Sequence, residues 1–150
     1  MPTRPATPAD AAAIKQHIYD FLGIRWPVAK IRRRMADPNI ITYISEDGYC
    51  EIKVSRERQE AEVTSLLPQG TDMALLDPVL QGALDEMRRR HPASWRVWAS
   101  FWGGVDENGV PDGGESECRA WQSRRPGTTV SKIDGRWVAE STLGQMTEGA

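Results

Sequence analysis

The side chains best suited to chemistry in this chain are two cysteines, two histidines and several clustered charges. Cys50 and Cys118 lie far apart, and together with His17 and His91 they match no metal-ligand spacing. Two unpaired thiols are typical of a reducing compartment, and the first residues lack the apolar core of a secretion signal. His17 lies on an apolar helical stripe. A ligand or a catalytic base is one interpretation, and a structural histidine at the border of the core is the favoured one. We therefore expect no metal centre and a cytoplasmic location.

The charged clusters allow two further kinds of site. Lys30 and the following Arg32–Arg34 could contact phosphates, although a solvated helix face is the favoured interpretation. Five glycines with Asp106, Glu107 and Asp112 predict an acidic loop over 103–114. The first part of this loop lacks the remaining ligand positions of a calcium site, so we predict no calcium binding.

The composition is that of one globular domain. The 150 residues are 39% hydrophobic and 27% charged, which is enough chain to bury a core without disulfides or metals. A net charge of −2 argues against a strongly cationic binder, so a nucleic-acid partner is not expected. The longest apolar runs are too short to span a membrane, so no membrane partner is expected. We predict one domain over 1–150, with a frayed polar tail over 141–150.

Hydrophobic periodicity and turn signals predict the order of the elements. Asp77-Pro78 repeats the cap-then-proline signal of Thr7-Pro8, so a helix is predicted to begin at Asp77. The first helix carries an apolar stripe of Ile14, His17, Ile18, Phe21 and Leu22. The full prediction is a short strand near residue 3, helices over 7–22 and 28–37, strands over 40–46, 49–55 and 61–67, a helix over 77–91, a strand over 94–102, a helix over 115–124 and strands over 129–133 and 136–140.

The strand over 94–102 is predicted to lie inside the sheet. Apolar residues occupy both of its faces, as in strands with neighbours on either side. Trp98 and Trp102 face either the core or a pocket. In the preceding strand, the alternation of Ala61, Val63, Ser65 and Leu67 predicts that these four share one face.

This order of elements, together with the opening run Arg4-Pro5-Ala6-Thr7-Pro8-Ala9-Asp10, resembles the GNAT family of acetyl-CoA-dependent N-acetyltransferases. The opening run is similar to the Arg-x-Ala-x-x-x-Asp pattern common in the first strand and helix of that family. The resemblance covers about residues 3 to 140. It implies an α/β (α+β) fold with a mixed, mostly antiparallel central sheet flanked by helices.

The family resemblance implies a cofactor site. Acetyl-CoA would enter where the strand over 61–67 diverges from the strand over 94–102, and its pantetheine arm would pair with Ser65, Leu66 and Leu67. The pyrophosphate would lie on amides at the start of the helix from Asp77.

The loop before that helix departs from the family motif, Gln/Arg-x-x-Gly-x-Gly/Ala. Counted from Pro68, Thr71 stands for the arginine, Ala74 for the first glycine and Leu76 for the second. The pyrophosphate loop is therefore degenerate, and Leu76 is expected to crowd the phosphates.

The same resemblance suggests catalytic positions. Glu62 is the candidate base for the acceptor amine, because carboxylates on this strand often serve that role in the family; an exposed structural glutamate is the alternative. Many members protonate the leaving thiolate with a tyrosine on the short helix after the fifth strand, but the stretch Cys118–Gln122 contains none.

Two functions follow from this resemblance. The first is an N-acetyltransferase acting on a small-molecule or peptide amine that approaches through the acidic loop. The second is a catalytically inactive binding or assembly module with a protein partner. Some short-tailed bacteriophages build virion-associated proteins on GNAT-like domains, and the Trp95-Arg96-Val97-Trp98 strand after an Arg-rich helix is similar to what such proteins show. A virion location would then replace the cytoplasmic one.

Overall fold

The computed structural model describes residues 2–67, 73–101, 108 and 114–148, and of Met73 only the backbone. Strand boundaries lie within two residues of the prediction. The helices are α1 (Ala11–Leu22), α2 (Val28–Ala36), α3 (Met73–Arg90), α4 (Glu115–Arg124) and α5 (Leu143–Glu148), with a 3-10 turn at Pro8–Asp10 before α1. The strands are β1 (Arg4–Pro5), β2 (Ile40–Ile44), β3 (Tyr49–Ser55), β4 (Glu60–Leu67), β5 (Arg96–Phe101), β6 (Thr129–Ile133) and β7 (Arg136–Thr142).

The seven strands form one sheet in the order β1-β2-β3-β4-β5-β7-β6. Every neighbouring pair is antiparallel except β4 and β5, which run parallel. Parallel neighbours need a crossover connection, and α3 lies in that connection. The mixed, mostly antiparallel sheet flanked by helices is confirmed, and so is the internal position of the tryptophan-rich strand.

Helices cover both faces of the sheet. Leu66 and Leu67 are consecutive on β4 and therefore point to opposite faces, and they belong to different apolar clusters. Leu66 packs in the larger cluster, with the buried faces of α3, α4 and α5. Leu67 packs in the smaller cluster with residues of α1 and α2, including Ile18 and Ile31. No helix of the described residues combines the length and apolarity that a membrane span requires.

The helix α3 begins earlier than predicted. Its first residue is Met73, four residues before Asp77. Leu76 is buried in the larger apolar cluster, so the expectation that it crowds a phosphate is wrong. The carboxylate of Asp77 does not cap the helix; it pairs with Arg124 and Arg125. The burial of Leu76 extends the helix one turn upstream and outweighs the local Asp-Pro signal.

The segment predicted as a frayed tail is ordered over residues 141–148. The strand β7 continues to Thr142, and α5 follows it directly. Leu143 and Met146 of α5 are fully buried, and the Leu143 amide donates to the Trp95 carbonyl. The prediction failed because two apolar residues three positions apart bury one face of a short helix, although the segment as a whole is polar.

The apolar stripe of α1 is buried only along its first two turns. Ile14 and Ile18 are buried, whereas Phe21 and Leu22 are exposed at the C-terminal end of the helix. His17 is half-buried beside Tyr49, with ring centroids 6.1 Å apart. The apolar stripe therefore packs on the core at Ile14 and Ile18 but not at the C-terminal end of the helix.

Three sequence predictions fall outside the described residues. They concern Thr71, Trp102 and the acidic loop over 103–114, of which only residues 108 and 114 are described.

Candidate functional site

The strands β4 and β5 separate partway along their length. They pair at Glu60 with Arg96, at Ala61 with Val97 and at Glu62 with Trp98, and no later pair joins them among the described residues. β4 nevertheless continues to residue 67 and β5 to residue 101. The predicted divergence of the two strands is therefore present, and it leaves one edge of β4 without a strand neighbour beyond Glu62.

A cleft of about 320 Å³ occupies this divergence. The backbone and side chains of β4 form one wall and the end of β5 forms the other. Leu22, which is exposed at the end of α1, lines this cleft and does not pack in the core. The lining comprises Leu22, Glu62, Val63, Thr64, Ser65, Leu66, Leu67, Ala99, Ser100, Phe101, Trp121 and Arg136.

A β-bulge interrupts β4 at the cleft. Val63 pairs with Ile52 and Ser65 pairs with Glu51, so Thr64 has no partner of its own on β3. The extra residue shifts the alternation, and Leu66 instead of Ser65 faces the larger cluster. The predicted common face of residues 61, 63, 65 and 67 was wrong for this reason.

A buried ionic group lies beside the bulge. Glu51 is only 7% exposed, and its Oε1 lies 2.6 Å from Arg34 Nη2. The Arg34 Nε also lies 3.1 Å from Glu51 Oε2. Thr64 Oγ1 lies 2.8 Å from Glu51 Oε1 and 3.1 Å from the Glu51 carbonyl oxygen, so its hydroxyl donates to Glu51. This Arg34–Glu51–Thr64 network joins α2 to the bulge through β3.

Glu62 lies at the point where the strands part. Burial raises the pKa of its carboxyl group, and the positive charges of Arg136 and Lys53 oppose that rise. A second, shallower depression of about 290 Å³ also borders Glu62 and is lined by Lys53, Arg58 and Trp98 among others. Glu62 therefore faces both the cleft and a separate surface from which a second molecule can approach.

The helix α4 contributes an aromatic wall but no tyrosine. Trp121 is buried and contacts Phe101 edge-on, with ring centroids 5.9 Å apart at 70°. The neighbouring Gln122 donates from Nε2 to the Thr128 carbonyl oxygen over 2.9 Å. Cys118 on the same helix is buried, and burial raises the pKa of its thiol to about 11, so it stays protonated and unreactive near neutral pH.

The predicted cofactor residues are only partly brought together. Ser65, Leu66 and Leu67 line the cleft beside Glu62. Ala74 lies in the first turn of α3 and is exposed, outside the cleft lining. Thr71 lies outside the described residues. Among the described residues, no three potential ligands of the His, Cys, Asp or Glu type cluster as a metal site.

Sequence reasoning missed Thr64, Glu51 and Arg136. The bulge had a detectable signal, because the apolar residues of β4 pass from Val63 to Leu66 with a spacing of three instead of two. Glu51 had no comparable signal, since its partner Arg34 lies 17 positions away on a helix.

The arrangement of the elements matches solved structures of N-acetyltransferases. The aminoglycoside 6'-N-acetyltransferase from Enterococcus faecium aligns with a TM-score of 0.67 at 11% identity, covering 95% of this chain and 97% of its own. The ribosomal-protein-S18-alanine N-acetyltransferase from Escherichia coli aligns with a TM-score of 0.61 at 12% identity, covering 94% and 92%. An acetyltransferase of the GNAT family from Bacillus cereus aligns with a TM-score of 0.57 at 11% identity, covering 93% and 95%. No protein-family model and no curated protein matches the sequence.

These likenesses identify the fold. A sheet whose two parallel strands diverge around a cleft, with helices on both faces, is the architecture that this chain shares with N-acetyltransferases. It is the GNAT fold, shared over nearly the full length of this chain and of the compared structures.

Proposed function

We propose that this chain transfers an acetyl group from acetyl-CoA to an amine, with Glu62 as the proton acceptor. The observation that carries the proposal is the separation of β4 from β5 beyond Glu62. An unpaired strand edge offers backbone N–H and C=O groups to an extended, amide-containing chain. The pantetheine arm of coenzyme A is such a chain, and the fold shared with N-acetyltransferases supports the same assignment.

The residues of the cleft fit this group. The backbone of Ser65, Leu66 and Leu67 would hold the pantetheine arm. The pyrophosphate would lie near Thr71 and Ala74, at the start of α3, where first-turn amides and the helix dipole favour an anion. Because α3 begins at Met73, these amides belong to residues 73–76 and not to the turn after Asp77.

The chain's own chemistry is proton transfer at Glu62. When bound, acetyl-CoA would supply an acetyl thioester whose C–S bond breaks as the amine nitrogen bonds to the carbonyl carbon. Coenzyme A would leave as a thiolate and take its proton from water, because α4 carries no tyrosine. Glu62 accepts the proton of the amine, and burial improves it as a base because it raises the pKa of the carboxylate. The positive charges of Arg136 and Lys53 oppose that rise in pKa. A backbone N–H near Leu67 would donate to the thioester carbonyl oxygen.

The first test is isothermal titration of the protein with acetyl-CoA and, separately, with coenzyme A. Micromolar binding would support the proposal and would show that the degenerate loop holds pyrophosphate by other means. No heat and no thermal shift at millimolar ligand would refute it.

A second test concerns Glu62 itself and uses a panel of small-molecule and peptide amines as acceptors. Glu62→Gln should lower kcat by about 100-fold or more while leaving the affinity for coenzyme A unchanged. The matched control is Glu115→Gln on the exposed side of α4, which should leave turnover intact. The rate should rise with pH through the pKa of Glu62 and lose that dependence in the variant. Unchanged turnover in Glu62→Gln would remove this residue from the mechanism.

A second candidate is a catalytically inactive binding or assembly module built on the same fold. The absence of any tyrosine from α4 favours it, since no side chain there can protonate a thiolate as a phenol does. This candidate predicts no turnover with any amine and no coenzyme A binding, but a stable complex with a protein partner. Virion association would be one form of that role.

A further inference from the structure

Glu51 is a carboxylate in a place where a carboxylate is costly. It lies in the middle of β3 and is 7% exposed. Burial of a charge is tolerated only with partners of opposite charge and hydrogen bonds to the remaining lone pairs. Arg34 supplies the charge over 2.6 Å and Thr64 supplies a hydroxyl over 2.8 Å. Arg34 and Thr64 both donate hydrogen bonds to Glu51, so Glu51 is the centre of the network.

The network contacts β4 at its β-bulge. Thr64 is the extra residue of the bulge, and its hydroxyl also lies 3.1 Å from the Glu51 carbonyl oxygen. If the bulge moved back by one residue, Val63 would take this place and present no donor to the carboxylate. The hydrogen bonds of Thr64 therefore favour the observed register over its neighbour.

The bulge determines which side chains and backbone groups of β4 face the cleft. The residues after the bulge are Ser65, Leu66 and Leu67, and all three line the cleft. Without the bulge, Thr64 would pair with Glu51 and each later residue would shift by one, which would exchange the faces of all three side chains and the direction of their backbone groups. The unpaired edge therefore has its observed geometry only while the bulge is present.

From this geometry we propose that Glu51 and Thr64 are positioning residues of the cofactor cleft, held in place by Arg34. They fix the bulge, and the bulge fixes the edge that would bind the pantetheine arm. The inference rests on the proposed function for its consequence in binding, while the effect on the bulge itself does not depend on any ligand. The network also ties α2, on one face of the sheet, to the strand edge that lines the cleft.

The test uses Thr64→Val, which keeps the shape of the side chain and removes its hydroxyl, and Thr64→Ser, which keeps the hydroxyl. The matched control is Thr42→Val. Thr42 lies directly opposite Glu51 on β2, and its buried hydroxyl has no hydrogen-bond partner in the described part of the chain. The control therefore makes the same chemical change beside the same carboxylate, outside the network.

Two readouts are compared at a temperature where every variant is folded. Without ligand, the amides of Ser65 and Leu66 should exchange about ten-fold faster with solvent in Thr64→Val than in the wild type. The Thr64→Ser variant should match the wild type, and Thr42→Val should exchange no faster than the wild type. With ligand, Thr64→Val should weaken the binding of coenzyme A by roughly ten-fold, and Thr64→Ser should restore it.

The outcomes separate this proposal from the proposed function. If amide exchange in Thr64→Val equals that of the wild type, or if Thr42→Val changes it equally, the positioning role is overturned whatever the ligand does. If the wild type binds coenzyme A and Thr64→Val loosens the bulge but binds coenzyme A as tightly, the role in the cleft is overturned. If the wild type does not bind coenzyme A, the proposed function fails, and the exchange rates alone decide whether the network fixes the bulge.

Discussion

Replacement of Asp77 by asparagine should destabilise the protein far more than its place near a helix start suggests. Asp77 Oδ1 lies 3.0 Å from Nη2 of Arg125, whose guanidinium is buried at the end of α4 and is only 1% exposed. The same guanidinium donates from Nη1 to Gln81 Oε1 over 2.9 Å and to the Met146 carbonyl oxygen over 2.6 Å. Gln81 and Met146 provide neutral acceptors, so Asp77 supplies the compensating charge.

The magnitude follows from that burial. Removal of one partner of a buried ion pair costs about 3–5 kcal/mol, because the other charge stays desolvated. For a domain of this length, each kcal/mol lowers Tm by about 2–4 °C, so Asp77→Asn should lower Tm by about 6–20 °C. Asparagine keeps an oxygen acceptor at the same place, so the loss measures charge compensation more than hydrogen bonding.

The assay is thermal and urea unfolding followed by circular dichroism, with Arg124→Gln as the matched control. Arg124 also pairs with Asp77, at 3.0 Å, but its side chain is 38% exposed. Exposed pairs are worth about 1 kcal/mol or less, so Tm of the control should fall by no more than about 4 °C. If the two variants lose similar stability, or if Asp77→Asn loses less than about 1 kcal/mol, the argument from the buried guanidinium is refuted.

Three further predictions concern stability. Thr42→Val should raise the free energy of unfolding by about 1 kcal/mol, because it removes a buried hydroxyl without a described hydrogen-bond partner. Asp10→Asn should lower Tm at pH 7, since the Arg4 hydrogen bond lowers the pKa of Asp10 to about 2; this stabilisation is complete above the unfolded pKa near 4 and is lost as pH falls towards 2. Met146→Ala should cost about 2–5 kcal/mol, because the side chain of Met146 is fully buried.

Each of these three predictions would be contradicted by a specific result. A lower Tm in Thr42→Val would mean that its hydroxyl has a partner. For Asp10→Asn, the difference from the wild type should disappear near pH 2, and a constant difference down to that pH would exclude the ionic explanation. Urea unfolding of Met146→Ala within about 0.5 kcal/mol of the wild type would mean that α5 is not part of the cooperative core.

The sequence predicted the elements better than it predicted their exact limits. Periodicity found β4 and so placed Glu62 on the strand that borders the cleft. The same periodicity failed at Thr64, because a single bulge reverses the faces of all later residues. The local start signal at Asp77-Pro78 also failed, because α3 begins upstream of it and buries Leu76.

Other parts of the site could not be derived from local pattern. Arginine is almost never fully buried, so nothing at Arg125 indicated a core position. Its partners come from α3 and α5, which are distant in the sequence. The pairing of Arg34 with Glu51 likewise depends on how α2 packs over the sheet. Such contacts are set by the tertiary structure and have no periodicity of their own.

The sheet order has a consequence for how the molecule assembles. The antiparallel sets β1–β4 and β5–β7–β6 meet at one parallel joint of three residue pairs, and the chain must complete α3 before that joint can form. Contacts that span a long crossover are slow to form, whereas the β2–β3–β4 meander and the β6–β7 hairpin are sequence-local. We therefore expect the two halves of the sheet to fold as separate units and to dock late. The cleft lies at their joint, so it belongs to neither half and comes into being with the last step of folding.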